Sequence, residues 1–188
     1  MTDESAFGLL IAYLNIEDDE YGGERDDFVE RYAEFRSRLC ERLRLEPPGA
    51  RARAIELGHA FYVELADGEH EGDLIAWLRQ TRAALTEPGF VTAGILAYGG
   101  SWQDETEPYP SVTELGASTL VRASGPSEPL RRALLAEAAA RGDEDSGTPG
   151  WGPGLYLDVE AVDALGRKPK NQPTVLKIGG AEFFRAGS

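Results

Sequence analysis

Fourteen uncharged residues stand at the middle of the chain. In Gly89 to Trp102, GFVTAGILAYGGSW, bulky Val91, Ile95 and Leu96 are set among small Ala93, Gly94 and Ala97. An apolar run closed by Gly99-Gly100 reads as a buried strand. Its small side chains leave room for a helix or a ligand against the backbone.

The pattern before it predicts strand, helix, strand, helix. Residues 7–16, FGLLIAYLNI, are continuously apolar, as in a strand covered on both faces. Phe28, Tyr32, Phe35, Leu39 and Leu43 recur every three or four residues. They predict a helix capped by Asp26 or Asp27 and running to Arg44. Residues 54–65, AIELGHAFYVEL, alternate. Leu57, His59, Phe61, Val63 and Leu65 share the core-facing parity, so His59 is expected to point inward; Tyr62 and Glu64 take the other face. A second helix over 72–86 packs through Leu74, Trp77, Leu78 and Leu85.

Beyond the central strand, residues 103–113, QDETEPYPSVT, are polar and bear prolines, and form the expected internal boundary. Residues 114–123 predict a further strand. Ser127 caps a helix with Pro129 in its first turn and Leu130, Leu134 and Ala138 on its apolar side. In 150–165, Leu155, Leu157 and Val159 have one strand parity; Tyr156, Asp158 and Glu160 have the other. Residues 174–179 and 182–185 make a hairpin about Gly179-Gly180. These elements predict one α+β domain over 1–188, a mixed, mainly antiparallel sheet covered by about three helices. The repeated strand–helix–strand order also suits two related half-domains, joined within 103–113.

A length of 188 residues suits one such domain, and 41% hydrophobic content is enough for a core. No apolar run reaches the roughly 18 residues of a membrane span. The start, MTDESAFGLLIAYL, has no basic leader, and the single Cys40 cannot form an internal disulfide. A cytoplasmic setting is therefore expected. Charge changes the picture more. The net charge is −14, and residues 161–188 carry five basic side chains against two acids, so residues 1–160 hold −17. A field of that sign disfavours nucleic acid and anionic membrane, and favours a basic partner.

The chemistry-bearing motifs are incomplete. No glycine pair leads into the lysine and hydroxyl of a phosphate loop, and no serine sits in a nucleophile elbow. His59 and His70 lack the spacing of a zinc helix. Glu17-Asp18-Asp19-Glu20 lack the alternating donors and central glycine of a calcium loop. Neither a metal nor a cofactor is expected. The leading expectation is a non-enzymatic acidic protein-binding module that neutralises a basic protein. Glu17, Asp18, Asp19, Glu20, Asp104, Glu105 and Glu107 would speed the encounter, while Trp102, Tyr109 and Trp151 would anchor it. The alternative is a small-molecule-binding protein or enzyme with a cleft between its halves. Its pocket would draw on His59, Glu64, Trp102, Asp158 and Glu160.

Overall fold

Strand β1 (Ser5–Tyr13) is apolar throughout because helices cover both faces of the sheet at its centre. The computed structural model describes residues 5–14, 25–45, 53–57, 59–68, 70, 72–101, 127–143, 147–166 and 175–186. After β1 come α1 (Arg25–Leu45), β2 (Arg53–Glu56), β3 (Ala60–Ala66), α2 (Leu74–Thr86) and β4 (Thr92–Gly100). They are followed by α3 (Glu128–Arg141), β5 (Gly154–Asp158), α4 (Val159–Ala164), β6 (Val175–Ile178) and β7 (Ala181–Ala186). The expected strand at 114–123 and the expected boundary at 103–113 lie outside the described residues.

The strands form one sheet in the order β2-β3-β1-β4-β5-β7-β6. Among the described pairings only β4 with β5 is parallel; the rest are antiparallel. The fold is thus the expected mixed, mainly antiparallel α+β arrangement. Its helices divide unequally. Phe35, Leu39 and Leu43 of α1 and Leu74, Leu78 and Leu85 of α2 pack on Phe7, Leu9, Ile11 and Leu96, with Ala161 and Val162 of α4 in the same layer. Burying each large side chain contributes about 1.5–3 kcal/mol. On the opposite face, Leu130, Ala133, Ala136 and Ala140 of α3 lie on Leu10, Ala12, Ala93 and Ile95. Ala93 of the central run thus faces an alanine-lined helix, while Gly94 faces α2, and alanine on alanine lets α3 and the sheet approach closely.

Two predicted segments break. The alternation in 54–65 stops at a turn, leaving β2 and β3 as an antiparallel pair. His59 lies in that turn, where parity has no meaning, and not among Phe61, Val63 and Leu65. The strand predicted in 150–165 ends at Asp158, whose carboxylate accepts the Ala161 amide at 2.6 Å and caps α4. Glu160 therefore belongs to the first turn of a helix. Asp73 and Ser127 cap α2 and α3, through amides at 3.1–3.2 Å and 3.4 Å respectively. None of the described helices is long and apolar enough to cross a membrane.

Candidate functional site

Three polar clusters lie along α3, at its start, middle and end. They contain every described member of the predicted pocket.

At the start, Glu64 projects from β3 toward Ser127. Its Oε2 accepts the Ser127 hydroxyl and the Tyr62 hydroxyl, each at 2.6 Å. All three residues are buried. Gly8 of β1 makes this possible, since Tyr62 and Pro129 occupy the space its side chain would take. Ser127 thus caps α3 with one lone pair and donates to a buried carboxylate. That second duty is absent from its sequence signature.

In the middle, Asp158 is fully buried at the end of β5. Its Oδ2 accepts the Tyr98 amide at 3.1 Å. Arg132 Nε stands 3.2 Å from the same oxygen as an ion pair, without the alignment of a hydrogen bond. Arg132 Nη1 also lies 3.0 Å from Glu160, and Nη2 donates to the Tyr98 carbonyl. Burial pushes the Asp158 carboxyl up to about 6, although the Ala161 amide, Arg132 and the Tyr98 amide oppose that shift. The cluster ties β4, β5, α3 and α4 together, and its carboxylate is spent on these partners.

At the end of α3, His59 Nε2 lies 3.1 Å from Glu137 Oε1. Arg141, one turn along α3, donates its Nε to the same oxygen at 2.9 Å. Its Nη2 bonds Glu137 and reaches the Tyr13 carbonyl at 3.4 Å. Burial raises the Glu137 carboxyl, but the bonds from His59 and Arg141 outweigh it and leave the group below its ordinary value. The His59 side chain is 37% exposed while Glu137 is 8% exposed. This is the cluster with a proton-carrying group open to solvent, oriented by a buried charge. It stands where β1 ends against the β2–β3 turn, with the Tyr13 amide donating to the His59 carbonyl at 2.8 Å.

The predicted pocket residues thus share one helix but not one cluster. His59, Glu64 and the Asp158–Glu160 pair occupy three stations. Trp102, Glu17, Asp18, Asp19, Glu20, Asp104, Glu105, Glu107 and Tyr109 lie outside the described residues. Trp151 is half-buried, its ring 5.4 Å from Tyr156 and 5.8 Å from Phe183, and it closes the α3-side core. Arg132, Glu137 and Arg141 were missed by sequence reasoning. The Glu137–Arg141 spacing was a readable signal, but their partners His59 and Asp158 come from other elements. Among the described residues, no group of three or more His, Cys, Asp or Glu is placed to hold a metal.

No family model and no curated protein matches the chain. Solved structures do. The catalytic core of a rhodopsin-guanylyl cyclase with converted specificity, in complex with ATPαS, superposes with a TM-score of 0.52 at 11% identity, covering 100% of each chain. The guanylyl cyclase Cya2 gives 0.49 at 10% identity over 96% of this chain and 90% of its own. The adenylyl cyclase CyaB from P. aeruginosa gives 0.45 at 10% identity over 98% and 95%. The first of these shows that the chain shares the fold of that catalytic core.

That likeness overturns the expectation of a non-enzymatic protein-binding module with a basic partner. It favours the small-molecule alternative. The physical error lay in reading a partner from net charge, which governs solubility and encounter rates and carries no information about the fold.

Proposed function

We propose that this chain is a nucleotide-binding enzyme domain, with its ligand at the end of the sheet where β1 meets the β2–β3 turn. The observation that carries this reading is the end-to-end likeness, at a TM-score of 0.52, to a catalytic core solved with the nucleotide analogue ATPαS. The His59–Glu137–Arg141 cluster supports the placement. Glu137 holds His59 in one orientation, and Arg141 secures Glu137 from the next turn of α3. His59 is the residue that gives or takes a proton on the ligand. Arg141 adds positive charge beside it. The Glu64 and Asp158 clusters are positioning groups that fix the path of α3. We also place the protein in the cytoplasm, on its cysteine usage; cell fractionation in the native host tests that placement.

Calorimetric titration with ATP and with GTP tests the binding. Saturable, stoichiometric uptake of at least one is expected. His59→Ala should leave affinity within a few-fold and lower turnover by about 10²-fold or more, as loss of a general acid or base does. Turnover is read by mass spectrometry of the incubated nucleotide, looking for cyclic nucleotide and pyrophosphate. Absence of saturable binding to either nucleotide at millimolar concentration sinks the reading. Binding without any conversion retains the ligand and removes the enzyme.

A further inference from the structure

Arg82 and Arg185 are among the arginines that form no ion pair with a described carboxylate, in a chain of net charge −14. Arg82 leaves α2 toward the start of β4. Its side chain passes over Gly94, where a Cβ would come within 2.7 Å of Arg82 Cδ. Its Nη2 reaches the Thr92 carbonyl at 3.3 Å, and its Nε is buried without a partner. Arg185 on β7 lies along Gly154, with its guanidinium 5.9 Å from the Tyr156 ring centroid and Nη2 donating to the Pro153 carbonyl at 2.9 Å. Ala93 pairs with Gly154, and Gly94 with Leu155. Gly94 thus lies on the α2 face and Gly154 on the α3 face, and the two glycines give room to two arginines that reach the same end of the sheet from opposite faces.

Burial lowers the Arg82 guanidinium from its ordinary value; the Tyr156 hydroxyl opposes that shift, and the charge of Arg185 adds to it. The hydroxyls of Thr81, which is 0% exposed, and Thr92, which is 1% exposed, are also buried without hydrogen-bond partners. Thr81 precedes Arg82 on α2, and Thr92 accepts from it. Native interiors leave few such groups unsatisfied, and a bound ion is one way to satisfy them. Two cations and orphaned donors call for an anion, and a guanidinium fork matches the oxygens of phosphate.

We infer that Arg82 and Arg185, with the Thr92 hydroxyl, form a phosphate-binding site at the end of the sheet where β4 and β5 begin. The site rests on the nucleotide reading only for the identity of a larger ligand. Thr92 pairs with Tyr13, so this is also the end of the sheet that holds His59 and Arg141. From β3 to β5 is three strand spacings, about 14 Å. That separation suits a ligand whose phosphates reach the arginines while its other end meets His59.

The test is titration of the full chain with inorganic phosphate, against chloride at matched ionic strength, followed by thermal unfolding and calorimetry. Phosphate should bind saturably and raise the melting temperature beyond chloride. Arg82→Gln should weaken it at least tenfold, as should Arg185→Gln, which changes an exposed side chain and leaves the core intact. Thr92→Val should weaken it several-fold. Equal effects of phosphate and chloride on the wild type overturn the site, as does undiminished phosphate affinity in both arginine variants. ATP forms a second arm. If the arginine variants lose ATP as well, the phosphate belongs to the nucleotide; if they lose phosphate alone, the site takes the free anion. Both outcomes support the site. Phosphate binding in a protein that takes no nucleotide supports the site and sinks the nucleotide reading.

Discussion

Asp158 carries a negative charge into a place with no exposed surface. Its carboxyl is pushed up to about 6, above the 3.8 of an ordinary aspartate, because burial outweighs its partners. The folded state therefore holds this proton over a pH range in which the unfolded chain has released it. This contribution to stability is fully present below about pH 4 and is lost as pH rises through about 6. Glu137 has the opposite sign, since its carboxyl lies below the ordinary value. Its contribution is present above the unfolded value and lost as pH falls through the folded one. Comparing wild type with Asp158→Asn cancels Glu137 and isolates Asp158. The wild type should lose roughly 1–3 kcal/mol relative to the variant between pH 4 and pH 7, read by urea unfolding at each pH. A difference between the two proteins that stays constant across that range removes the buried-carboxylate account.

At the scale of elements, the contact that matters most is α3 on the sheet. Alanines 133, 136 and 140 make the helix face shallow, and Gly8 admits the helix start and Tyr62. A Cβ on residue 8 would lie 2.5 Å from Tyr62 Oη and 2.8 Å from Pro129 Cβ. Tyr62 is held by Glu64, and Pro129 by its ring in the first turn, so neither yields easily. Gly8→Ala should cost about 1–3 kcal/mol in urea unfolding, as overpacking does. It should also disturb His59 through the displaced helix. An unchanged unfolding midpoint would show that α3 can slide on the sheet. The helix itself was legible from Ser127 and Pro129, but its buried face runs through Leu130, Ala133, Ala136 and Ala140, while Ala138 of the expected apolar side is exposed. Its polar contacts were not legible. Ser127 meets Glu64 from 63 residues away and Glu137 meets His59 from 78. Neither residue's neighbours in sequence announce such a partner.

At the scale of the whole molecule, −14 is a cost to the folded state, because compaction brings like charges together. Sodium chloride should raise the melting temperature by about 2–5 °C between low salt and 0.3 M, through screening over about 10 Å or less. A steady fall would mean that favourable ion pairs, such as Arg36 with Glu56 at 2.8 Å, outweigh the repulsion. Under the proposed function, the same field opposes the approach of a nucleotide. Local cations at the sheet end must offset it, so screening should speed nucleotide association. Charge thus sets how fast a ligand arrives, while the side chains of a site set which ligand is held.

The sequence by itself determined the α+β class, the central uncharged strand, three of the four described helices (though α1 begins at Arg25, ahead of its expected cap at Asp26 or Asp27), and the C-terminal hairpin. These follow from local periodicity and local hydrogen bonds, which each segment carries within itself. Only the tertiary structure decided the turn at His59, because Leu57, His59 and Phe61 keep the alternation of a strand while the backbone has already turned. It likewise decided the switch at Asp158, which continues a strand parity and caps a helix with the same side chain. The strand order and the placement of α3, among the described helices, on the face opposite α1 and α2 depend on contacts between distant segments. Those contacts arise from assembling the sheet and its helices, and no single segment contains them.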